Sequence, residues 1–79
     1  DASLLQRNTY DVILANINRN ILIQDMPTYA HSLHKGGLLF VSGFYVEDMP
    51  MLIGTAAAAG LEYVSHDSID NWCCIKFRK

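Results

Sequence analysis

Two short apolar runs, each followed by a segment with helical periodicity, constrain the fold of this chain more than any other feature. Residues 10–15 read YDVILA and residues 38–43 read LLFVSG. Short apolar runs of this kind are typical of buried strands, and we expect the first to be buried on both faces. A strand that returns to its neighbour through a helix runs parallel to it, with a right-handed crossover. The sequence therefore predicts an α/β fold built on a parallel sheet.

The first helical segment lies between a group of asparagines and a pair of glycines. Apolar side chains recur there at steps of three and four residues, at Leu22, Met26, Tyr29, Ala30 and Leu33. We predict that Asn18 caps the helix and that the glycines at 36–37 end it in the left-handed conformation. His34 and Lys35 would then lie in the last turn. Pro27 predicts either a kink or the start of a second segment.

The rest of the chain reads as a second helix and two strands. The acidic pair at 47–48 marks the start of the helix, Pro50 lies in its first turn, and Gly60 ends it. Residues 61–66 alternate like a strand with one covered face, and residues 72–77 form the last strand. The polar stretch DSIDN between them predicts an antiparallel connection with a loop longer than the tight two-residue type.

The composition argues against several classes of protein. A chain of 79 residues is one domain at most. Because 51% of the residues are hydrophobic, part of the surface is expected to be covered by further chain or by a partner. The net charge of −2 and the lack of a basic stripe argue against binding to duplex nucleic acid. No apolar run approaches the roughly 18 residues of a membrane span. Cys73 and Cys74 would point to opposite faces of a strand, which fits a reducing, cytoplasmic setting.

Three stretches of the chain resemble the last half of a class I S-adenosylmethionine-dependent methyltransferase domain: YDVILANI, LHKGGLLFVSG and AAAAGLEYVSHDSIDNWCCIKFRK. Within that superfamily the sequence is most similar to the ribosomal protein methyltransferases that act on large-subunit protein eleven. An N-I-x-x-N motif begins at Asn16, SGFYVED closes the second strand, and the last strand begins with Trp72. The turn before the second strand departs from the usual Lys-Pro-Gly-Gly, because His34 and Lys35 precede the glycines and the proline is missing.

The resemblance implies the C-terminal half of a Rossmann-like class I methyltransferase sheet, with the order β-α-β-α-β-β and an antiparallel last strand. In the complete domain the arrangement would be a three-layer αβα fold. Such a domain holds its cofactor with a G-x-G loop after its first strand and an acidic residue after its second. No G-x-G occurs in these 79 residues. Residues 1–79 are therefore expected to be the C-terminal part of a single catalytic domain, without the cofactor-binding half and the N-terminal substrate-recognition domain.

The resemblance also implies a function, the transfer of methyl groups from S-adenosylmethionine to amino groups of a ribosomal protein, with this chain inactive on its own. Two alternatives stay open. One is a class I methyltransferase that acts on a nucleobase or another protein, and the other is a non-enzymatic α/β interaction module. No direct contact with nucleic acid or membrane is expected. If the strand at 10–15 lacks a neighbour, its edge is expected to recruit a second copy or the lead-in segment.

The functional residues are expected beyond the carboxyl ends of the parallel strands, where open α/β sheets bind their ligands. Asn16 would lie at the mouth of that site, bordering the cofactor. Its amide oxygen, with the backbone carbonyl of Ile17, could accept the N–H bonds of a neutral substrate amine. The alternative for Asn16 is a loop residue that caps the next helix. Asn18 fits that capping role better, and Asn20 is either a surface residue or a support for the loop.

Four further residues are candidates for substrate binding. Ser42 and Gly43 end the second strand at the same edge of the sheet, and Phe44 or Tyr45 could form a wall of the amine pocket. The alternatives are that Gly43 only makes a turn and that Phe44 belongs to the core. Trp72 is the fourth candidate, with a core or hairpin anchor as its alternative.

The histidines and cysteines suggest no further chemistry. His31 and His34 are three residues apart on a helix, but His66 is not spaced to join them as a metal ligand. Neither Cys73 nor Cys74 follows an activating turn, so a cysteine nucleophile is not expected.

Overall fold

A computed structural model describes residues 10–79 as a four-stranded sheet with two helices on one face. In chain order the elements are β1 (Tyr10–Asn16), α1 (Arg19–Ser32), β2 (Leu33–Tyr45), α2 (Met49–Ala58), β3 (Glu62–Ile69) and β4 (Trp72–Arg78), with a 3₁₀ turn, Val46–Asp48, between β2 and α2. The strands lie side by side in the order β1-β2-β4-β3. The lead-in segment that we considered as a partner for β1 lies outside the described residues.

The strand directions confirm the predicted α/β topology. β1 and β2 run parallel, with α1 as the crossover between them. β4 lies between β2 and β3 and runs antiparallel to both. The last strand is therefore the one that reverses direction among the described strands, as the resemblance implied. In this part of the chain, neither helix is long and apolar enough to cross a membrane.

One continuous apolar core joins both helices to alternate residues of the sheet. Its strand members include Ile13, Ala15, Leu39, Val41, Ile75 and Phe77, and its helix members include Leu22, Met26, Tyr29, Leu52 and Ala56. Successive strand residues point to opposite faces, so every second residue of the central strands reaches this core. Each large side chain buried in it stabilises the fold by roughly 1.5–3 kcal/mol.

The opposite face of the sheet, which we call the open face, is largely exposed. On β1, Val12 is 50% exposed and Leu14 is 78% exposed. The prediction that β1 is buried on both faces is therefore wrong for the described residues. The reason is that α1 and α2 contact each other and pack on the same face, the one that carries Ile13.

Helix α1 begins as the sequence predicts. Asn18 has extended backbone angles, φ −69° and ψ 161°, and its side-chain oxygen accepts a hydrogen bond from the amide of Ile21 at 3.0 Å. The helix then continues through Pro27 as one element, which excludes the start of a second segment there. Because Pro27 has no N–H, the carbonyl of Ile23 lacks its usual helical donor at that point.

The end of α1 differs from the prediction. The helix stops at Ser32, and Leu33 is already extended, with φ −87° and ψ 142°. His34 and Lys35 therefore belong to β2 and not to the last helical turn. The helical periodicity could not show this, because Leu33 continues the buried stripe of α1 while it serves as the first residue of the strand.

The glycines at 36–37 lie in a bulge within β2 and do not end a helix. The register between β1 and β2 jumps from the pair Tyr10–Leu33 to the pair Val12–Leu38, so the residues between them bulge out. The bulge is tied to the end of the chain, because the amide of Gly36 donates to the carbonyl of Lys79 at 3.1 Å, and the amide of Lys79 donates to the carbonyl of Gly37 at 2.9 Å.

Helix α2 ends where the sequence predicts. Gly60 has φ +90°. Its amide donates to the carbonyl of Ala57 at 3.0 Å, and the amide of Leu61 donates to the carbonyl of Ala56 at 2.8 Å. These two hydrogen bonds and the left-handed glycine make a Schellman motif, and the buried side chain of Leu61 supplies its apolar contact.

The connection between β3 and β4 is shorter than predicted. Ile69 pairs with Trp72, which leaves Asp70 and Asn71 as a two-residue loop. Both have positive φ, 49° and 75°, as a type I′ turn requires, and Asp and Asn tolerate that conformation better than other side chains. The prediction of a longer loop is wrong because β3 is an exposed edge strand, so its polar residues continue the strand and do not end it.

Gly43 marks a bulge at the end of β2. The register against β4 shifts between Ser42 and Phe44, and Gly43 has φ +97°. A β-carbon at this position would lie 2.5 Å from the carbonyl oxygen of Ile17 and 3.1 Å from Oδ1 of Asn16. Only glycine combines this backbone conformation with such a close approach. The bulge therefore fixes the loop that follows β1 against the end of β2.

We predict that Asn18→Ala lowers the free energy of unfolding by about 1 kcal/mol, because it removes the side-chain acceptor at the start of α1. Asn20→Ala is the matched control, since Asn20 lies inside the first turn and should cost less than about 0.5 kcal/mol. Urea denaturation of the purified variants measures both values. Equal losses would show that Asn18 does not act as the cap.

We predict that Gly43→Ala lowers the free energy of unfolding by roughly 2–6 kcal/mol, the sum of about 1–3 for a side chain at positive φ and about 1–3 for overpacking. Gly54→Ala is the matched control. A β-carbon on Gly54 would meet nothing within 4 Å, and the residue lies inside α2. Alanine should therefore stabilise the helix there by about 0.5–1 kcal/mol. A tolerated Gly43→Ala in the same denaturation assay would contradict the close approach.

Candidate functional site

The carboxyl ends of β1 and β2 meet at one edge of the sheet. Asn16 pairs with Ser42, and Ser42 pairs in turn with Cys74 of β4. These three side chains therefore form a polar row across the open face. Asn16 and Cys74 are exposed, and Ser42 is partly buried.

An open crevice of about 380 Å³ lies over this row. The strand ends supply one wall, and the β3–β4 hairpin supplies the other. The lining residues are Asn16, Ser42, Gly43, Asp67, Ser68, Ile69, Trp72, Cys73 and Cys74. Its apolar part comes from Ile69 and Trp72, so the crevice combines hydrogen-bonding groups at the strand ends with an apolar wall on the hairpin.

The wall at Trp72 is held by an aromatic contact. Trp72 is 52% exposed, and its ring centroid lies 4.7 Å from that of Tyr45, with the planes tilted by 31°. The two residues are also paired across β2 and β4. Trp72 is therefore a half-exposed wall that stacks on its cross-strand neighbour and not a core residue.

A second, smaller cavity of about 310 Å³ also borders Gly43. It is lined by Asn18, Arg19, Asn20, Gly43, Phe44, Tyr45 and Asp48. Phe44 is only 2% exposed and belongs to the core, so it presents an edge to this cavity and does not line the crevice.

The predicted site residues fall into two groups. The structure brings Asn16, Ser42, Gly43 and Trp72 together around the crevice. Ile17 is partly buried against the core, its carbonyl oxygen faces the bare α-carbon of Gly43, and it does not line the crevice. The structure therefore gives the positions of these residues, and their roles in binding and catalysis stay predictions.

Several lining residues were missed by the sequence analysis. The alternation of WCCIKF puts Cys74 and Trp72 on the same face, and that signal was sufficient to find Cys74. Asp67 and Ile69 were assigned to a loop because DSIDN is polar, and their place in an edge strand could not be recognised from periodicity alone.

The two cysteines point to opposite faces, as predicted. Cys73 is buried in the core, and Cys74 is exposed on the open face. Burial raises the pKa of the Cys73 thiol. The Cys73 side chain therefore stays protonated at neutral pH and is unsuited to act as a nucleophile.

An ion pair ties the starts of the two helices together beside the second cavity. Nη1 of Arg19 lies 2.9 Å from Oδ1 of Asp48. The other carboxylate oxygen of Asp48 accepts a hydrogen bond from the amide of Tyr45 at 3.1 Å. The Tyr45 amide and, after it, the Arg19 guanidinium hold the pKa of Asp48 below its usual value. Asp48 is therefore a charged contact at neutral pH and not a proton donor.

The lining residues define what the crevice can do chemically. It is lined by Asn16, Ser42 and Asp67, which carry an amide, a hydroxyl and a carboxylate on the open face, and it is not lined by histidine, lysine or arginine. Such a set can accept hydrogen bonds from an amine and orient it. Among residues 10–79, no three His, Cys, Asp or Glu side chains are grouped as metal ligands.

The residues that line the crevice do not by themselves form a cradle for S-adenosylmethionine. Asn16 ends β1, which is an edge strand among the described strands, and its role in bordering the cofactor stays a prediction. A cradle for the cofactor needs backbone that can approach it closely, as a G-x-G loop does, and the sequence contains no such loop.

Comparison with known proteins agrees with the resemblance to methyltransferases that the sequence shows. The family model described as Ribosomal protein L11 methyltransferase (PrmA) matches residues 1–79. Among relatives named ribosomal protein L11 methyltransferase, that of Phocaeicola vulgatus is 49% identical over 98% of this chain and 28% of its own length. That of Porphyromonas gingivalis is 47% identical over 98% of this chain and 27% of its own length. The chain thus spans between a quarter and a third of these relatives.

Solved structures share the fold. A ribosomal protein L11 methylase from Lactobacillus delbrueckii subsp. bulgaricus superposes with a TM-score of 0.84 at 23% identity, over 91% of this chain and 38% of that one. The M1.HpyAVI–SAM complex superposes with a TM-score of 0.78 at 10% identity, over 96% and 47%. Taken with the family model and the relatives, these findings show that the chain belongs to the ribosomal protein L11 methyltransferase family.

Proposed function

We propose that this chain is the C-terminal part of the catalytic domain of an S-adenosylmethionine-dependent protein N-methyltransferase that acts on amino groups of a ribosomal protein. The observation that carries the proposal is the exposed amide of Asn16 at the carboxyl end of β1, held beside the crevice by the bulge at Gly43. Membership of the family supports the reaction class. We infer the substrate from the relatives' names. Because ribosomal proteins are made in the cytoplasm, we propose that the protein is cytoplasmic.

The length of the match indicates which functional parts lie outside this chain. Because the chain spans 28% of the Phocaeicola vulgatus relative, we place the glycine-rich cofactor loop and the substrate-recognition domain in the remainder of the protein. The open face and the edge of β1, which is not paired with another described strand, are the surfaces that such a remainder would cover to complete the three-layer arrangement. On this proposal the chain alone binds no cofactor and is inactive.

The reaction needs a neutral amine with its lone pair directed at the methyl group. When bound, S-adenosylmethionine supplies that methyl on a sulfonium sulfur. A carbon–nitrogen bond forms as the carbon–sulfur bond breaks, and the nitrogen then loses a proton to solvent. The amide oxygen of Asn16 accepts an N–H of the amine without adding a full charge, so it orients the lone pair. Removal from water favours the neutral form of the amine.

The remaining candidates act by position. Ser42, paired with Asn16, offers a hydroxyl beside the amine, and Trp72 closes the opposite wall over the carbon chain that carries it. Gly43 leaves room for the Asn16 loop. The Ile17 carbonyl packs against Gly43, so we assign it a role in positioning the segment after Asn16, and its role as an amine acceptor stays a prediction. We assign Phe44 a support role beneath the second cavity. A misplacement of the reacting amine by about 1 Å can lower the rate about a hundredfold.

We predict that Asn16→Ala in the full-length protein lowers methyl transfer by about a hundredfold, because the amine loses the group that orients it. The thermal midpoint should change little, since Asn16 is exposed. Radiolabelled methyl transfer to the purified ribosomal protein measures the rate. Gln24→Ala is the matched control, because it also removes an exposed side-chain amide, from the middle of α1. Its rate of methyl transfer should equal that of the wild type. Unchanged transfer by Asn16→Ala would remove Asn16 from the mechanism.

We predict that the 79-residue chain self-associates through the edge of β1 that no other described strand covers, where exposed Leu14 and Val12 add an apolar surface. Leu14→Lys should shift the chain towards monomer in sedimentation velocity. Ile69→Lys is the matched control, because Ile69 is 77% exposed at the other edge of the sheet. A clean monomer of the unaltered chain at high concentration would contradict this prediction.

A further inference from the structure

The two walls of the crevice come from strands that do not touch. Asn16 ends β1, whereas Trp72 begins β4, and β2 lies between them. The backbone pairing that joins these strands stops at the pairs Asn16–Ser42 and Tyr45–Trp72. Beyond those pairs, contacts between the segments that follow the strands connect the two walls.

The turn after β2 holds the hairpin that carries one wall. The amide of Val46 donates to the carbonyl of Asn71 at 3.0 Å. The side-chain amide of Asn71 donates to both carboxylate oxygens of Glu47, each at 3.1 Å. Because Asn71 directly precedes Trp72, these contacts fix the residue next to the aromatic wall.

The same turn holds the start of α1, next to the other wall. Asp48 follows Glu47, and its carboxylate lies 2.9 Å from Nη1 of Arg19. Arg19 is the first residue of α1, just after the loop that carries Asn16. The carboxylate of Asp48 is itself oriented by the amide of Tyr45. Two adjacent carboxylates therefore reach in different directions from one turn, one to each wall.

We propose that Glu47 and Asp48 are positioning residues that set the width of the crevice. Glu47 holds the hairpin through Asn71, and Asp48 holds the start of α1 through Arg19. We call these four residues the turn brace. The inference rests on the proposed function, because it gives the turn brace the task of keeping Trp72 and Asn16 at the spacing that a substrate amine needs.

The contact between Asn71 and Glu47 is separable from the fold. The backbone turn at Asp70 and Asn71 requires positive φ, and glycine supplies that conformation at least as well as asparagine. Asn71→Gly therefore keeps the hairpin and the carbonyl that accepts from Val46, and it removes only the side-chain contact with Glu47. Asp70→Gly makes the same change one residue earlier and leaves the contact in place.

The first measurement is steady-state kinetics of the full-length protein with its ribosomal protein substrate. Asn71→Gly is expected to lower kcat roughly tenfold, since a wall displaced by a fraction of an ångström misplaces the amine. The KM for S-adenosylmethionine is expected to stay within about twofold of the wild type, and Asp70→Gly is expected to match the wild type. A lower thermal midpoint with unchanged kcat would overturn the proposal, because it would show a purely structural role.

Substitution of the partner gives an independent check. Glu47→Gln keeps an oxygen that accepts from Asn71 and is expected to retain activity within about threefold, whereas Glu47→Ala is expected to reproduce the loss seen for Asn71→Gly. The double variant is expected to be no worse than either single variant, because both remove the same contact. Fully additive losses would overturn the proposal.

The second measurement does not depend on catalysis. Trp72 is the only tryptophan in the 79 residues, so its fluorescence reports on the hairpin wall. Acrylamide should quench Trp72 more strongly in Asn71→Gly than in Asp70→Gly or in the unaltered chain. Equal quenching in all three would overturn the proposal that the turn brace fixes the wall at Trp72. If the wild-type full-length protein transfers no methyl group, the proposed function fails, and the quenching comparison still decides whether Asn71 and Glu47 fix the wall.

Discussion

The close approach of the Ile17 carbonyl oxygen to the bare α-carbon of Gly43 is the contact on which the candidate site depends. A β-carbon at Gly43 would lie 2.5 Å from that oxygen, so the loop after β1 can follow its path only because residue 43 is glycine. The same bulge shifts the register of β2 against β4. One local feature of the backbone therefore places Asn16, the end of β2 and the start of the hairpin around a single crevice.

The sheet behind this crevice is covered on one face in the described part of the chain. Both helices pack on the face of Ile13, and on the open face Leu14 is 78% exposed in β1, an edge strand among the described strands. A parallel strand with an exposed apolar face is unusual, because parallel sheets are normally covered on both faces. This asymmetry agrees with the length of the match, in which the chain spans 28% of the Phocaeicola vulgatus relative.

Local signals in the sequence predicted the elements better than their junctions. Asn18 and Gly60 were identified correctly because a helix cap and a Schellman end depend on one residue and its immediate neighbours. The glycines at 36–37 were misassigned, since left-handed backbone ends a helix or makes an excursion in a strand, and only the partner strand decides which. The two-residue loop at 70–71 was hidden in a polar stretch for a similar reason. The row that joins Asn16 to Cys74 depends on the order of strands from distant parts of the chain.

The proposed mechanism requires that Asn16 faces the substrate amine across the crevice. A crystal structure of the full-length protein with S-adenosylhomocysteine and a lysine-containing peptide from the ribosomal protein tests it most directly. We expect the substrate nitrogen within about 3.2 Å of Oδ1 of Asn16, between the ends of β1 and β2 and the ring of Trp72. A substrate amine bound elsewhere, with Asn16 directed only at the backbone of its own loop, would contradict it.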